Sequence, residues 1–128
     1  LHRNMQGPIQ DPKGDAVREA ITTFAAMAEK AAYAIQNGHL VDLGACMDTA
    51  QEAYDEQLST RFSSMRAPRL RQACQSLKEN GALGAKFSGA GGDGSVVALF
   101  EDENTARAAA IRLEENDLYS WYVPVEAP

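Results

Sequence analysis

The chain has 128 residues, 45% of them hydrophobic and 23% charged, with a formal net charge of −6. That length suits one domain, which can bury about two-thirds of its unfolded surface. An acidic balance argues against a nucleic-acid surface, which needs a basic patch, and no stretch approaches the roughly 18 apolar residues of a membrane span.

Leu1 to Lys13 has neither the continuous apolar core of a secretory signal nor the pattern of a compact element. From Asp15 to Asn37, Val17, Ala20, Ile21, Phe24, Ala28, Ala31 and Ile35 recur at three and four residues and predict a helix with one apolar face. Asp15 is positioned to cap its start and Gly38 to end it. Leu40 to Leu58 repeats the pattern through Leu43, Met47, Ala50, Tyr54 and Leu58, with Asp42, Asp48, Glu52 and Asp55 on a face expected to be solvated. Tyr33, Met27 and Met47 read as core residues. Cys46 and Cys74 sit inside amphipathic patterns and read as buried free thiols.

After a break from Leu58 to Pro68, marked by Ser59, Thr60, Ser63 and Ser64, Pro68 fits the first turn of a third helix, which runs through Leu70, Ala73, Cys74 and Leu77 and stops at Asn80-Gly81. Arg61, Arg66, Arg69 and Arg71 cluster around the break. Pairing with helix ends and nearby carboxylates is the expected use of that charge; a substrate anion is the alternative. Leu83 to Ser88 alternates as a half-buried strand, and the apolar run Val96 to Phe100 is its hairpin partner. Glu101-Asp102-Glu103-Asn104 places acidic and capping groups at the start of a helix reaching about Glu115 on Ala106, Ala109, Ala110 and Leu113. Tyr119, Trp121, Val123 and Val125 alternate as a final strand, with Pro124 marking an edge or an end. The terminal β-β-α-β order implies an α+β fold, a ferredoxin-like antiparallel sheet with helices packed on one face.

Between the two hairpin strands lies Ser88-Gly89-Ala90-Gly91-Gly92-Asp93-Gly94-Ser95, four residues of which are glycine. Glycine lets the backbone take positive φ and lets a ligand approach the main chain, and successive exposed N–H groups suit an anion. A plain turn around Asp93-Gly94 is the competing reading. Gly89, Gly91 and Gly94 match the dinucleotide fingerprint, but Val96 to Phe100 is strand-like where that motif must open a helix. With Val96 they match the protein-kinase loop, yet no lysine follows on that strand and no H-R-D or D-F-G occurs downstream. The P-loop fails because Ser95 stands where its lysine belongs.

The longer run Gly81-Ala82-Leu83-Gly84-Ala85-Lys86-Phe87-Ser88-Gly89-Ala90-Gly91-Gly92-Asp93-Gly94-Ser95-Val96-Val97-Ala98-Leu99-Phe100 resembles the third motif of the GHMP superfamily of small-molecule kinases, named for galactokinase, homoserine kinase, mevalonate kinase and phosphomevalonate kinase. Phe87 in that motif, and Leu1-His2-Arg3 ahead of two long helices, are closest to sugar kinases of the glucuronokinase or heptose kinase type. The resemblance implies a lead-in segment at 1–14 and a C-terminal domain at 15–128, cytoplasmic, acting with the N-terminal domain of the same enzyme. It implies ATP and Mg2+ as cofactors and a small-molecule substrate, a sugar. The catalytic aspartate and lysine and the G-L-G-S-S-A loop of such enzymes belong to the N-terminal domain, and no G-L-G-S-S occurs in these 128 residues. No catalytic or metal-holding residue is therefore expected in this chain. Ser88 to Ser95 is the expected nucleotide and phosphate loop; Lys86, on the polar side of its strand, reads as an exposed strand lysine or, alternatively, as a further phosphate contact. Asp93 departs from the all-glycine form and reads as a turn residue directed away from the nucleotide. An isoprenoid-pathway kinase of the mevalonate or phosphomevalonate type, and a non-catalytic ferredoxin-like ligand-binding module, are the alternatives.

Overall fold

A computed structural model describes residues 11–88, 94–116, 118 and 120–124. The readings placed on Leu1, His2 and Arg3, on Gly89 to Asp93, and on Tyr119 and Val125 lie outside the described residues.

Helix α1 spans Pro12–Asn37. It begins earlier than the apolar pattern indicates, because Pro12 presets the first-turn φ and Asp11, not Asp15, is the cap: its Oδ1 accepts from the Gly14 N–H at 3.1 Å. Asp15 instead pairs with Arg18 one turn on. Gly38 ends the helix at φ 68°, and the His39 N–H reaches back to the Ala34 carbonyl at 2.9 Å, a Schellman closure that turns the chain directly into the next helix. The buried stripe of α1 is alanine, at Ala16, Ala20 and Ala34, with Val17, Phe24 and Ala31 half-buried beside it. Ile21, Ile35 and Tyr33 fall off the stripe and are 57%, 49% and 63% exposed, so Tyr33 is not a core residue.

Helix α2 covers Leu40–Ala53 and runs on as a π-helical turn, Tyr54–Ser59. Two arginines close that turn: Arg61 Nη1 donates to the Glu56 carbonyl at 2.9 Å and Arg66 Nε to the Ser59 carbonyl at 2.9 Å. A 3-10 turn at Ser63–Met65 leads to α3, Pro68–Glu79, where Arg71 Nε lies 3.7 Å from Asp55 Oδ1. Arg61, Arg66 and Arg71 thus serve helix ends and a carboxylate of the chain itself.

Strand β1 (Gly84–Ser88) pairs antiparallel with β2 (Ser95–Leu99), in the register Gly84↔Leu99, Lys86↔Val97 and Ser88↔Ser95. Helix α4, Glu103–Glu115, is capped by Asp102, whose Oδ1 accepts from the Thr105 N–H at 2.8 Å. The architecture is α+β, an antiparallel hairpin packed by helices, and the core joins Ala20 of α1, Tyr54 of the π-turn, Leu77 of α3, Phe87 of β1 and Ala109 and Leu113 of α4. The expected final strand does not form in the described residues 120–124. Side chains hold this segment to α4 instead: Ser120 Oγ donates to the Ala110 carbonyl at 2.8 Å, and Arg107 Nε donates to the Tyr122 hydroxyl at 3.0 Å. The described sheet therefore has two strands.

Candidate functional site

The glycine-rich connection is carried by the β1–β2 hairpin. Ser88 and Ser95 form its last described pair, and both are exposed, as is Gly94. The described end of the stem is therefore open to solvent. Gly89, Ala90, Gly91, Gly92 and Asp93 lie outside the described residues, so the orientation of Asp93 is not described.

What fixes the stem was not visible as a motif. In a two-stranded sheet, β1 should carry a row of unpaired N–H groups on its outer edge. Here α2 lies along that edge and supplies acceptors from its side chains. Asp48 Oδ1 accepts from the Ala85 N–H at 3.0 Å, and Gln51 Oε1 accepts from the Phe87 N–H at 2.8 Å. Gln51 is buried and passes the network on, donating through Nε2 to Asp55 Oδ1 at 3.0 Å. Asp48 also pairs with Lys78 of α3. The expected solvated acidic face is thus corrected: Asp48 and Asp55 are engaged with the sheet and α3, while Asp42 remains outside, 3.6 Å from His39 Nδ1. A helix can approach this closely because glycine meets glycine. The place of a Cβ on Gly84 is 2.2 Å from the Gly44 carbonyl oxygen, so neither position has room for a side chain. The signal lay in the spacing: Gly44, Asp48 and Gln51 fall at i, i+4 and i+7 on one face of α2, and Asp55 follows four residues on in the π-turn.

Lys86 is half-buried, not an exposed strand lysine, and its Nζ donates to the Phe87 carbonyl at 2.6 Å. It lines a pocket of about 460 Å³ between α1, α2, the π-turn and β1 that is partly open to solvent. Met27 and Met47, expected in the core, line the same space. Tyr54 stands at its edge, with its ring 5.1 Å from that of Phe87 at 70° and its hydroxyl donating to the Met65 carbonyl at 2.6 Å. Burial, then the charge of Asp55, raises the Tyr54 hydroxyl above its ordinary value.

Cys46 and Cys74 are free and buried. Burial pushes the Cys74 thiol up to about 11, with Asp55 and Asp48 adding to the rise and Lys86 opposing it. A thiol so protonated is a poor nucleophile. Slow reaction of the folded chain with a thiol reagent at pH 8, and full reaction of two thiols after denaturation, are expected. The linkage has a definite sign. The unfolded thiol ionises near 9.0 while the folded one holds its proton to about 11, so its contribution to stability is complete below pH 9 and is lost as the pH rises towards 11. Cys74→Ala should flatten the alkaline fall in melting temperature over that window, leaving the part due to Tyr54.

Among the described residues no group of three or more histidines, cysteines, aspartates or glutamates is placed to hold a metal, and no helix is long and apolar enough to cross a membrane.

Comparison with the curated proteins finds no match. A family model does match: GHMP kinases C terminal, over residues 31–117. That span takes in α2, α3, the hairpin with its glycine-rich loop, and α4, so the motif, the hairpin that carries it and the helices that brace it fall within one match. The chain belongs to the GHMP family of small-molecule kinases and carries its C-terminal domain.

Proposed function

We propose that this chain is the C-terminal part of an ATP-dependent kinase that moves the γ-phosphoryl of ATP to a hydroxyl of a small metabolite, a sugar on the strength of the motif and of the Leu1-His2-Arg3 opening. The observation that carries the reading is the family match across the hairpin, joined to a stem whose closing serines face solvent. Phosphoryl transfer depends on positioning and charge stabilisation more than on covalent chemistry, and ATP with its magnesium supplies the transferable group and part of that charge.

The part played by this chain follows from its own groups. Ser88 to Ser95 offers backbone N–H donors and two hydroxyls to phosphate oxygens. Lys86 sets a positive charge at the base of the same hairpin. Asp48 and Gln51 hold β1, and so the position from which the loop departs. Catalytic groups come from the N-terminal domain, in the cytoplasm as proposed, with residues 15–128 forming the C-terminal domain around the matched span.

In the whole enzyme, Gly91→Val or Gly92→Val should raise the KM for ATP about tenfold or more, or abolish turnover, with helical content unchanged by circular dichroism. Unchanged kinetics would reduce the loop to a plain turn. A panel of free sugars against mevalonate and phosphomevalonate, assayed by ATP consumption, separates the sugar assignment from an isoprenoid-pathway kinase. ATP-dependent phosphorylation by the 128 residues alone would overturn the placement of catalysis in the other domain, and tight binding of a ligand without any turnover in the whole enzyme would favour a non-catalytic module.

A further inference from the structure

The cavity between the helices and β1 has a chemistry of its own. Its walls are apolar and adaptable: Phe24 and Met27 of α1, Met47 of α2, Leu58 of the π-turn, Met65 beyond it, and Phe87 of β1. About 460 Å³, partly open to solvent, is within the range of pockets that take small organic molecules. Unbranched methionines let such a wall re-form around ligands of differing shape.

The polar groups in the wall divide into two kinds. Gln51 is spent on the Phe87 N–H and on Asp55, and the Tyr54 hydroxyl is spent on the Met65 carbonyl. Lys86 is different. Among the described residues it is the one charged residue lining the cavity, and its ammonium has a single acceptor there, the Phe87 carbonyl. An ammonium carries three donors, so two remain. A half-buried cation beside apolar walls favours an anionic head joined to an apolar body, since the body is drawn out of water and the head gains a charge-assisted hydrogen bond.

We propose that this cavity binds a small amphipathic anion, with a hydrocarbon or aromatic body against Met27, Met47 and Phe87 and a carboxylate or phosphate head on Lys86. The site rests on the cavity and Lys86 alone, and needs neither nucleotide nor phosphoryl transfer.

The test is calorimetric titration of the 128-residue chain with decanoate, decyl phosphate and decanol, each below its micellar concentration. Saturable one-to-one binding of at least one anion is expected, with decanol about tenfold weaker or more. The order of decanoate and decyl phosphate identifies the head, carboxylate or phosphate. Lys86→Met keeps the stem and removes the charge, so it should bring the anions down to the level of decanol and leave decanol unchanged. Met47→Trp fills the cavity from α2 and Ala31→Phe from α1; whichever of them melts cooperatively should lose all three ligands. Absence of saturable binding, anion binding undiminished in Lys86→Met, or full binding in a folded filled variant would each overturn the proposal.

Discussion

Gly84→Ala is expected to lower the melting temperature by about 10 °C or more. The added methyl would stand 2.2 Å from the Gly44 carbonyl oxygen and 2.7 Å from the Gly44 Cα, and both are backbone atoms that no rotamer change can move. Relief requires α2 to withdraw from β1. Withdrawal stretches the two bonds that cross the same gap, Ala85 N–H to Asp48 at 3.0 Å and Phe87 N–H to Gln51 at 2.8 Å. Overpacking costs about 1–3 kcal/mol and each buried bond about 1 kcal/mol more, so a total near 3 kcal/mol is reached without invoking anything else. Gly38→Ala is the control. Gly38 lies at φ 68° with no atom within 4 Å of its Cβ position, so that variant costs only the left-handed backbone preference, about 1–2 kcal/mol. Thermal melts followed by circular dichroism compare the two, and equal losses would show that the glycine contact does not govern the packing of α2 on β1.

Gln51→Met should release the stem of the loop while leaving the fold standing. Methionine has nearly the volume of glutamine, so the cavity wall is kept, but the Phe87 N–H loses its acceptor and Asp55 loses a donor. An unsatisfied buried N–H costs about 1–3 kcal/mol, which corresponds to about a tenfold or greater rise in the exchange rate of the Phe87 amide. The amides of β1 that alternate towards β2 should change less, because the ladder that protects them is intact. Asp48→Asn is the milder partner experiment: the amide oxygen can still accept from Ala85, and what is lost is a partly exposed pairing with Lys78, worth about 0–1 kcal/mol. Hydrogen exchange read by mass spectrometry or NMR checks both. A Phe87 amide no faster in Gln51→Met would show that α2 does not act as the missing third strand.

The helices were legible where local chemistry sets them. Pro68 opens α3, Gly38 closes α1 in the left-handed region, and Ala109, Ala110 and Leu113 form the buried face of α4, each by rules that need only the residues themselves. The start of α1 was misplaced by three residues because two aspartates compete for one cap and Pro12 decides between them. The final strand failed for a different reason. Alternation at residues 119–125 shows that two faces differ but not what they face, and Ser120 and Tyr122 find partners on α4.

By itself, then, the sequence determined the α+β class, the helices and the hairpin with its glycine-rich connection, the buried thiols and the membership of a kinase family, since turn chemistry, periodicity and a long glycine motif are properties of contiguous residues. Only the tertiary structure decided that Gly44 meets Gly84, that Asp48 and Gln51 of one helix complete the edge of β1, and that Lys86 turns from an expected surface lysine into a half-buried charge lining an apolar cavity. The bonds from Asp48 and Gln51 to β1 join residues 37 and 36 positions apart. The chemistry of a carboxylate, an amide or an ammonium depends on which atoms lie within about 3 Å, and chain folding, not spacing along the chain, selects them.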